Sequence, residues 1–318
     1  MASQLLDVKD FEWQVIINPN ACDKKCFTNW ESISHKLAQY NIRHEMHKAD
    51  ACGRGMQIAQ ELCQNGHRHL IVIGGDGTIN EVVNGIFTSG VDTHEVYLSV
   101  LPLGRGNDWA RTHNFPNNFL DSIDIFLKGK FLSHDIGKVQ TVRQNSVIAE
   151  RFFINIAGFC FDADVIYDTV YNKPHFLGIS VYILSLIRTL CKFKSPKITV
   201  RTDKGELTRK SFLTVVANCQ YNGGGMRQAP MAQPDDGYLD VISLPNVRKT
   251  QVIANIKRLF TGEHLQHLPN IEVHQTKHVT ISSEQMVRGE VEGELLEVGN
   301  YEITMIPQAL NTLTNRDQ

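Results

Sequence analysis

The chain has 318 residues, with 32 basic against 34 acidic side chains and a formal net charge of −2. That length gives room for two domains with sizeable cores, and the near-neutral balance removes the overall electrostatic case for a nucleic-acid-binding protein. Seven cysteines, an odd number spread through a long chain, argue against a disulfide framework. No Lys/Arg-flanked apolar stretch opens the sequence, and the most apolar helical stretch, Phe176 to Leu190, is short for a bilayer span and carries Arg188. The expectation is a soluble, cytoplasmic protein.

Taken in chain order, Trp13 to Ile17 reads as a short buried strand, Thr28 to Tyr40 as a helix and Arg54 to Gln64 as a second helix. Leu70 to Ile73 is an apolar run that predicts a buried parallel strand, followed by a helix over Thr78 to Phe87. Tyr97 to Leu101 is a further strand and Leu120 to Leu127 a further helix. This alternation predicts an α/β domain over 1–133 with a parallel sheet. From His134 the texture changes to strand-like runs: Asp135 to Val139, Arg151 to Ile156, Lys197 to Thr202, Ser211 to Ala217, Tyr238 to Ser243, His278 to Ser282 and Tyr301 to Ile306. Turn signals such as Asp203-Lys204-Gly205 separate them, and two helices are inserted, Leu177 to Leu190 and Lys249 to Phe260. The second part, 134–306, is expected to be a β-rich sandwich or barrel.

Three of the early strands end in polar or glycine-rich loops. The richest is Gly74-Gly75-Asp76-Gly77-Thr78, where a strand ends in a glycine turn and a helix begins. Such a turn points backbone N–H groups and the positive end of the helix dipole at one spot, which favours a phosphate. Gly77 can take a positive φ there. Leu103-Gly104-Arg105-Gly106-Asn107-Asp108 follows the Tyr97 strand, and Asn18-Pro19-Asn20 follows the first. Ligands of open α/β sheets bind outside the carboxyl ends of the strands, so three such loops predict one nucleotide site.

These loops, with Asn222-Gly223-Gly224-Gly225-Met226, Asp235-Asp236-Gly237-Tyr238 and Val291-Glu292-Gly293-Glu294, resemble in order the motifs of the soluble diacylglycerol kinase family, which is similar to sphingosine and ceramide kinases. The resemblance runs from about Trp13 to Glu294. It implies an NAD kinase/diacylglycerol kinase-like nucleotide domain and a β-sandwich lipid-binding domain, with the active site in the cleft between. It also implies that the tail, 307–318, returns to the first domain. The cofactors implied are ATP and Mg²⁺, and the partner is a lipid at the membrane surface, reached by transient peripheral association. A homodimer is left open.

By the same resemblance, Asn18, Pro19, Asn20, Gly74, Gly75, Asp76, Gly77, Thr78, Glu81, Gly104, Arg105, Gly106, Asn107 and Asp108 bind the nucleotide. Asp76 holds metal or assists the acceptor hydroxyl. The matching residue is considered the base in sphingosine kinases, whereas in bacterial diacylglycerol kinases the base is placed later. Here that later position is Glu292, one methylene longer than the usual Asp, with Glu294 two residues on. The Asp236 side chain and the carbonyls of Gln233 and Tyr238 would hold a structural Mg²⁺, a hard cation suited to oxygen donors. Read from residues alone, Asp236-Gly237 is equally a hairpin turn and Glu292-Gly293 a solvated one.

Several departures stand out. Arg105 occupies a position where relatives carry a small hydroxyl residue, and it either adds a phosphate contact or points to solvent. The family's Thr before a Gly-His-Ala or Gly-Asp-Ala segment is absent from Lys48 to Gly55, where Arg54 is a candidate replacement. Asn155, Gly158, Phe159, Phe161 and Asp162 resemble the family's lipid-side segment, with Cys160 replacing a glycine. Leu177, Val181, Leu184, Ile187 and Leu190 are candidates for an acyl pocket or for ordinary core. Cys22 and Cys26 lack a second pair at zinc spacing. Lys192, Lys194 and Lys197 form a basic cluster that suits either anionic headgroups or solvent. The expected activity is direct in-line phosphorylation of the hydroxyl of diacylglycerol or a related lipid. The alternatives are an NAD kinase-like enzyme for a soluble acceptor and a catalytically impaired nucleotide-binding regulator.

Overall fold

The computed structural model describes residues 4–20, 29–116, 118–171 and 179–316. Thr28, Leu177 and the Cys22–Cys26 pair fall outside these residues, as do the side chains of Val181 and Leu184. In chain order the first elements are β1 (Gln4–Leu5), β2 (Glu12–Ile17), α1 (Trp30–Gln39), β3 (Arg43–Lys48), α2 (Arg54–Gln64), β4 (His69–Gly74), α3 (Asp76–Thr88), β5 (Tyr97–Pro102), α4 (Asp108–Thr112), α5 (Phe119–Lys128) and β6 (Lys130–Arg143). There follow β7 (Ser146–Phe153), β8 (Ile156–Cys160), α6 (Phe161–Tyr171), α7 (Ile179–Lys192), β9 (Lys197–Thr202), β10 (Gly205–Ala217) and β11 (Leu239–Pro245). The last are α8 (Lys249–Thr261), α9 (His264–His267), β12 (Glu272–Thr276), β13 (His278–Ser282), β14 (Gly289–Val291), β15 (Glu294–Leu295) and β16 (Asn300–Leu313).

Two compact units emerge. The first comprises 1–136, 234–237 and 306–318. Its sheet runs β3-β2-β4-β5-β16, with β2, β3, β4 and β5 parallel and Asn311 of β16 set parallel against Tyr97 of β5. Leu70 to Ile73 are fully buried. Such a strand is covered on both faces, so an unbroken apolar run suits it better than alternation. Trp13, Phe126 and Phe131 fill the centre, the Trp13 and Phe126 rings meeting edge-on at 4.9 Å between centroids. Gln308 and the residues up to Arg316 are fastened to this unit: Gln308 N–H donates to Asp135, and Thr314 N–H to the Lys130 carbonyl.

The second unit comprises 137–233 and 238–305. It is β-rich and antiparallel. One run of strands is β15-β14-β8-β10-β11-β12, and the other is β10-β9-β13-β16. β10 serves both, and its register shifts between Ser211 and Leu213 where it passes from one to the other. Between them lies a core of Phe153, Phe159, Val200, Val216, Val241, Ile281, Tyr301 and Ile303. Inward apolar faces of two sheets packed in this way make a sandwich.

Candidate active site

The loops after β2, β4 and β5 come together in the first unit. Asn18 donates from Nδ2 to Thr78 Oγ1 at 3.1 Å, which ties the first loop to the first turn of α3. Its Oδ1 accepts from Asn20 N–H at 2.9 Å, and Asn20 Nδ2 donates to the Asp50 carbonyl at 3.0 Å. The second and third loops meet backbone to backbone. A Cβ on Gly104 would lie 2.5 Å from Gly75 Cα, and one on Gly75 would lie 3.0 Å from Gly104 Cα. Only glycine at both positions permits that approach.

The third loop is held open by Asn107, whose left-handed backbone (φ 51°) opens α4 while its Oδ1 accepts from Gly104 N–H at 2.7 Å. Asp76 Oδ1 accepts from Trp109 N–H at 3.0 Å. The carboxylate of the β4 loop thus caps the helix of the β5 loop. Trp109 anchors that helix: it is fully buried, its ring stacks on His113 at 4.1 Å, and its Nε1 donates to His134 Nε2 at 3.4 Å. Burial lowers the pKa of both histidines, that of His134 to about 4, so both pack as neutral rings.

The turns around these loops differ in what holds them. Gly77 lies within α3 and has no positive φ, because the helix already starts at Asp76 with Gly75 as its extended N-cap. Arg54 turns along its own helix, 3.0 Å from Gln57 Oε1 and 3.6 Å from Glu61 Oε1. The residue that organises the Gly53–Gly55 turn is Glu81, which accepts from Gly53 N–H at 2.8 Å and Gly55 N–H at 2.9 Å. It stabilises the start of α2 with a negative charge. Arg105 is exposed on the rim of its loop, and Asp108 is buried with Arg111 Nε 3.9 Å away. Helix geometry leaves the N–H groups of Asp76 and Gly77 with no carbonyl of their own helix to donate to, which is the local chemistry of an anion site.

The Asp235–Gly237 segment does more than turn the chain. Pro234 to Gly237 belong to the first unit, where Asp135 accepts from Gly237 N–H and Gln308 N–H, each at 2.6 Å. Burial raises the Asp135 carboxyl to about 6 against those two bonds. Asp235 pairs with Arg316 at 3.2 Å. Asp135 escapes a reading of the sequence because its importance comes from a residue 102 positions away. Gln233 and Tyr238 are grouped with the second unit, where the Tyr238 ring lies 5.2 Å from Lys277 Nζ.

In the second unit, β14 and β15 form a hairpin across Glu292 and Gly293, both with positive φ (53° and 83°). A turn with two left-handed residues prefers Asn or Asp before Gly, so Glu292 is held there at some backbone cost. Its carboxylate supplies the restraint. Oε1 accepts from Ile154 N–H at 3.0 Å and Asn155 N–H at 2.6 Å, and Oε2 from Asn155 Nδ2 at 2.9 Å. Glu294 instead pairs with Arg151 at 3.2 Å on the outside of the hairpin.

A third carboxylate, which the motifs do not include, sits beneath. Glu290 is buried and its Oε2 accepts from Gly293 N–H at 2.7 Å. A Cβ on Gly158 would fall 2.5 Å from Glu290 Oε1 and 3.2 Å from Asp162 Oδ2, so both acids converge on that glycine. Burial, then the nearby Asp162 charge, hold the Glu290 carboxyl well above the ordinary carboxylate range. Burial also raises Asp162, against a 3.0 Å bond from Gln228 Nε2.

Next to Asp162 opens a small apolar cavity of about 90 Å³, partly open to solvent. Phe161, Val165, Leu186, Phe212, Leu244 and Leu259 line it, with Asp162, Gln228, Asn255 and His264 as its polar groups. Of the apolar candidates on α7, Leu190 packs in the core beside this cavity and Ile187 is about half exposed. Cys160 takes a left-handed backbone (φ 72°) and its side chain joins the sandwich core, away from the cavity lining.

Comparison with known proteins agrees with this two-part architecture. Residues 12–139 match the diacylglycerol kinase catalytic domain, and residues 155–314 match the YegS C-terminal NAD kinase beta sandwich-like domain. The chain belongs to the lipid kinase family that these two domains define. It is 25% identical over 281 residues to a diacylglycerol kinase of Staphylococcus carnosus, a match covering 88% of each protein. It is 28% identical over 262 residues to a Chromohalobacter salexigens protein named "Probable lipid kinase YegS-like", covering 81% of this chain and 79% of that one. Among solved structures, a diacylglycerol kinase from Bacillus anthracis superposes with a TM-score of 0.71 at 19% identity, covering 96% and 97% of the two chains. Yeast NADH kinase in complex with NADH shares the fold more distantly, with a TM-score of 0.51 at 12% identity over 99% and 90%. Among the described residues no helix is long and apolar enough to cross a membrane.

Proposed function

We propose that the chain is an ATP- and Mg²⁺-dependent kinase of diacylglycerol or a related lipid. The observation that carries the lipid reading is the cavity beside Asp162, because an acceptor with a hydrocarbon tail needs such a lining and a soluble acceptor does not. The nucleotide reading is supported by the Gly75–Gly104 contact and the N-terminus of α3, where backbone N–H groups suit phosphate oxygens. Asn18 and Thr78 fix the rim of that cradle.

In the reaction proposed, the acceptor hydroxyl oxygen forms a bond to the γ-phosphorus as the bond to the β–γ bridging oxygen breaks, and ADP departs. The hydroxyl proton passes to the Glu292 carboxylate, whose restraint by Ile154 and Asn155 keeps it in one orientation. Glu294, engaged with Arg151, supports the hairpin. Asp76 orders the third loop through Trp109. Asp236 and the carbonyls of Gln233 and Tyr238 are oxygen donors of the kind a hard cation takes, and Mg²⁺ there would supply positive charge to a segment rich in acids. We assign the protein to the cytoplasm, with transient visits to a membrane surface.

The test is transfer from γ-labelled ATP with Mg²⁺ to acceptors in mixed micelles: diacylglycerol, monoacylglycerol, sphingosine, ceramide, undecaprenol and NAD. Label is expected in a lipid. Glu292→Gln should lower kcat by about 10²-fold or more with little change in melting temperature, while Glu292→Asp, which suits the turn better, should retain transfer. Label in NAD instead would establish a soluble acceptor. Bound ATP with no labelled product would point to a regulator or to an acceptor outside this panel.

A further inference from the structure

Helix α8 has two faces of different character. Its inner face contributes Val252, Asn255, Ile256 and Leu259 to the apolar cavity. Its outer face carries Ile253 and Phe260, 60% and 51% exposed, between the exposed lysines Lys249 and Lys257. At about 100° per residue these four side chains fall within roughly 80° of arc. From Val241 to Gly262 the sequence holds Arg248, Lys249, Lys257 and Arg258 and no acid, in a protein whose formal net charge is −2. Lys249 Nζ also donates to the Cys191 carbonyl, which brings the start of α8 against the end of α7 and adds the exposed Lys192 and Lys194 to the same basic patch.

Large apolar side chains left in water and flanked by lysines, with no acid before the exposed Glu263, match a surface that is apolar beneath and anionic above. We propose that the outer face of α8, with Lys192 and Lys194, docks on an anionic lipid bilayer. Ile253 and Phe260 enter the boundary between headgroups and acyl chains, and the lysines lie among the headgroups. The same helix forms a wall of the cavity, so a docked α8 stands between the bilayer and the space assigned to the lipid tail. The docking rests on the lipid kinase reading for its purpose, and its test does not.

The full chain is floated with vesicles of phosphatidylcholine alone and of phosphatidylcholine with phosphatidylglycerol, at low and high salt. Wild type is expected to float with the anionic vesicles, less at high salt. The double variant Ile253→Ser/Phe260→Ser should lose about tenfold or more of that partition, and Lys257→Gln about fivefold. Met286→Ser, at an apolar side chain 84% exposed elsewhere, should lose nothing. Melting temperatures should be unchanged throughout, since every altered side chain is exposed. Failure of wild type to float with either vesicle, or flotation of the double variant equal to wild type, would overturn the proposal. So would a wild-type dimer that the double variant converts to monomer without altering flotation, which would give the face to a second copy of the chain. Absence of labelled lipid in the micelle assay, with flotation as expected, would count against the kinase reading and leave the docking surface standing.

Discussion

The carboxylates of the second unit differ in what surrounds them, and their chemistry differs accordingly. Glu292 is restrained by three donors and Glu294 by an arginine, whereas Glu290, buried, has a backbone donor and the Asn222 side chain set against two acids near it. Its folded-state carboxyl titrates above the usual value of 4.5. The stability it contributes as a neutral acid is therefore fully present below about that pH and is lost as pH rises towards and through the raised value. Asp162, also raised, adds a slope of the same sign. Glu290→Gln keeps an oxygen for Gly293 N–H and removes the ionisation. Melting profiles from pH 5 to 9 should show the variant above wild type at the alkaline end, with the gap closing towards the acid end. Parallel profiles would mean that Glu290 ionises as freely as an exposed acid. Glu292 stands out in the sequence only through the family resemblance, since its turn by itself reads as a solvated hairpin. Sequence reading misses Glu290 and Asp135 because burial and distant partners, Asp162 and Gln308, give them their character.

At the scale of elements, strands with unbroken apolar runs were legible, as were helices with regular spacing. Leu70 to Ile73 lie inside β4, and Arg54 to Gln64 is α2 as read. The Arg43–Lys48 strand was not legible: it stands at one edge of its sheet, and Arg-His-Glu-Met-His-Lys has neither an apolar run nor strong β-formers. Helix α6 follows β8 with no polar cap between, so its start cannot be told from the end of the strand. The loop elements of the candidate site depend on one another in ways only the fold reveals. Asp76 caps α4, so Asp76→Ala combines two losses: the side chain and a helix cap of about 0.5–2 kcal/mol. Asp76→Asn keeps an acceptor for Trp109 N–H. If Asp76 acts on substrate or metal, both variants should lose transfer while only the alanine variant melts lower. A second consequence concerns Gly104. A methyl group 2.5 Å from Gly75 Cα forces the two loops apart. Gly104→Ala should weaken binding of a non-hydrolysable ATP analogue by about tenfold or more, read by calorimetry, and leave the apolar cavity's ligand affinity unchanged.

Over the whole molecule, the two compact units carry different chemistry. Backbone N–H groups and glycines concentrate in the first, and a cavity with an apolar lining lies in the second. If nucleotide and lipid tail are bound by separate units, a change in one should leave the other substrate's binding alone. Val252 tests this. It lines the cavity from α8 and is only partly buried, so a larger side chain there fills space without overpacking the sandwich core. Val252→Phe should raise KM for a long-chain acceptor in micelles by about fivefold to tenfold, since the tail's contribution is binding energy shared by ground and transition states. KM for ATP should not move, and neither should kcat, because the reacting hydroxyl and its base are unaltered. A short-chain acceptor that never reaches Val252 should be phosphorylated as by wild type. Equal KM changes for long and short acceptors would place the tail outside this cavity, and a parallel rise in KM for ATP would show that the two sites are coupled.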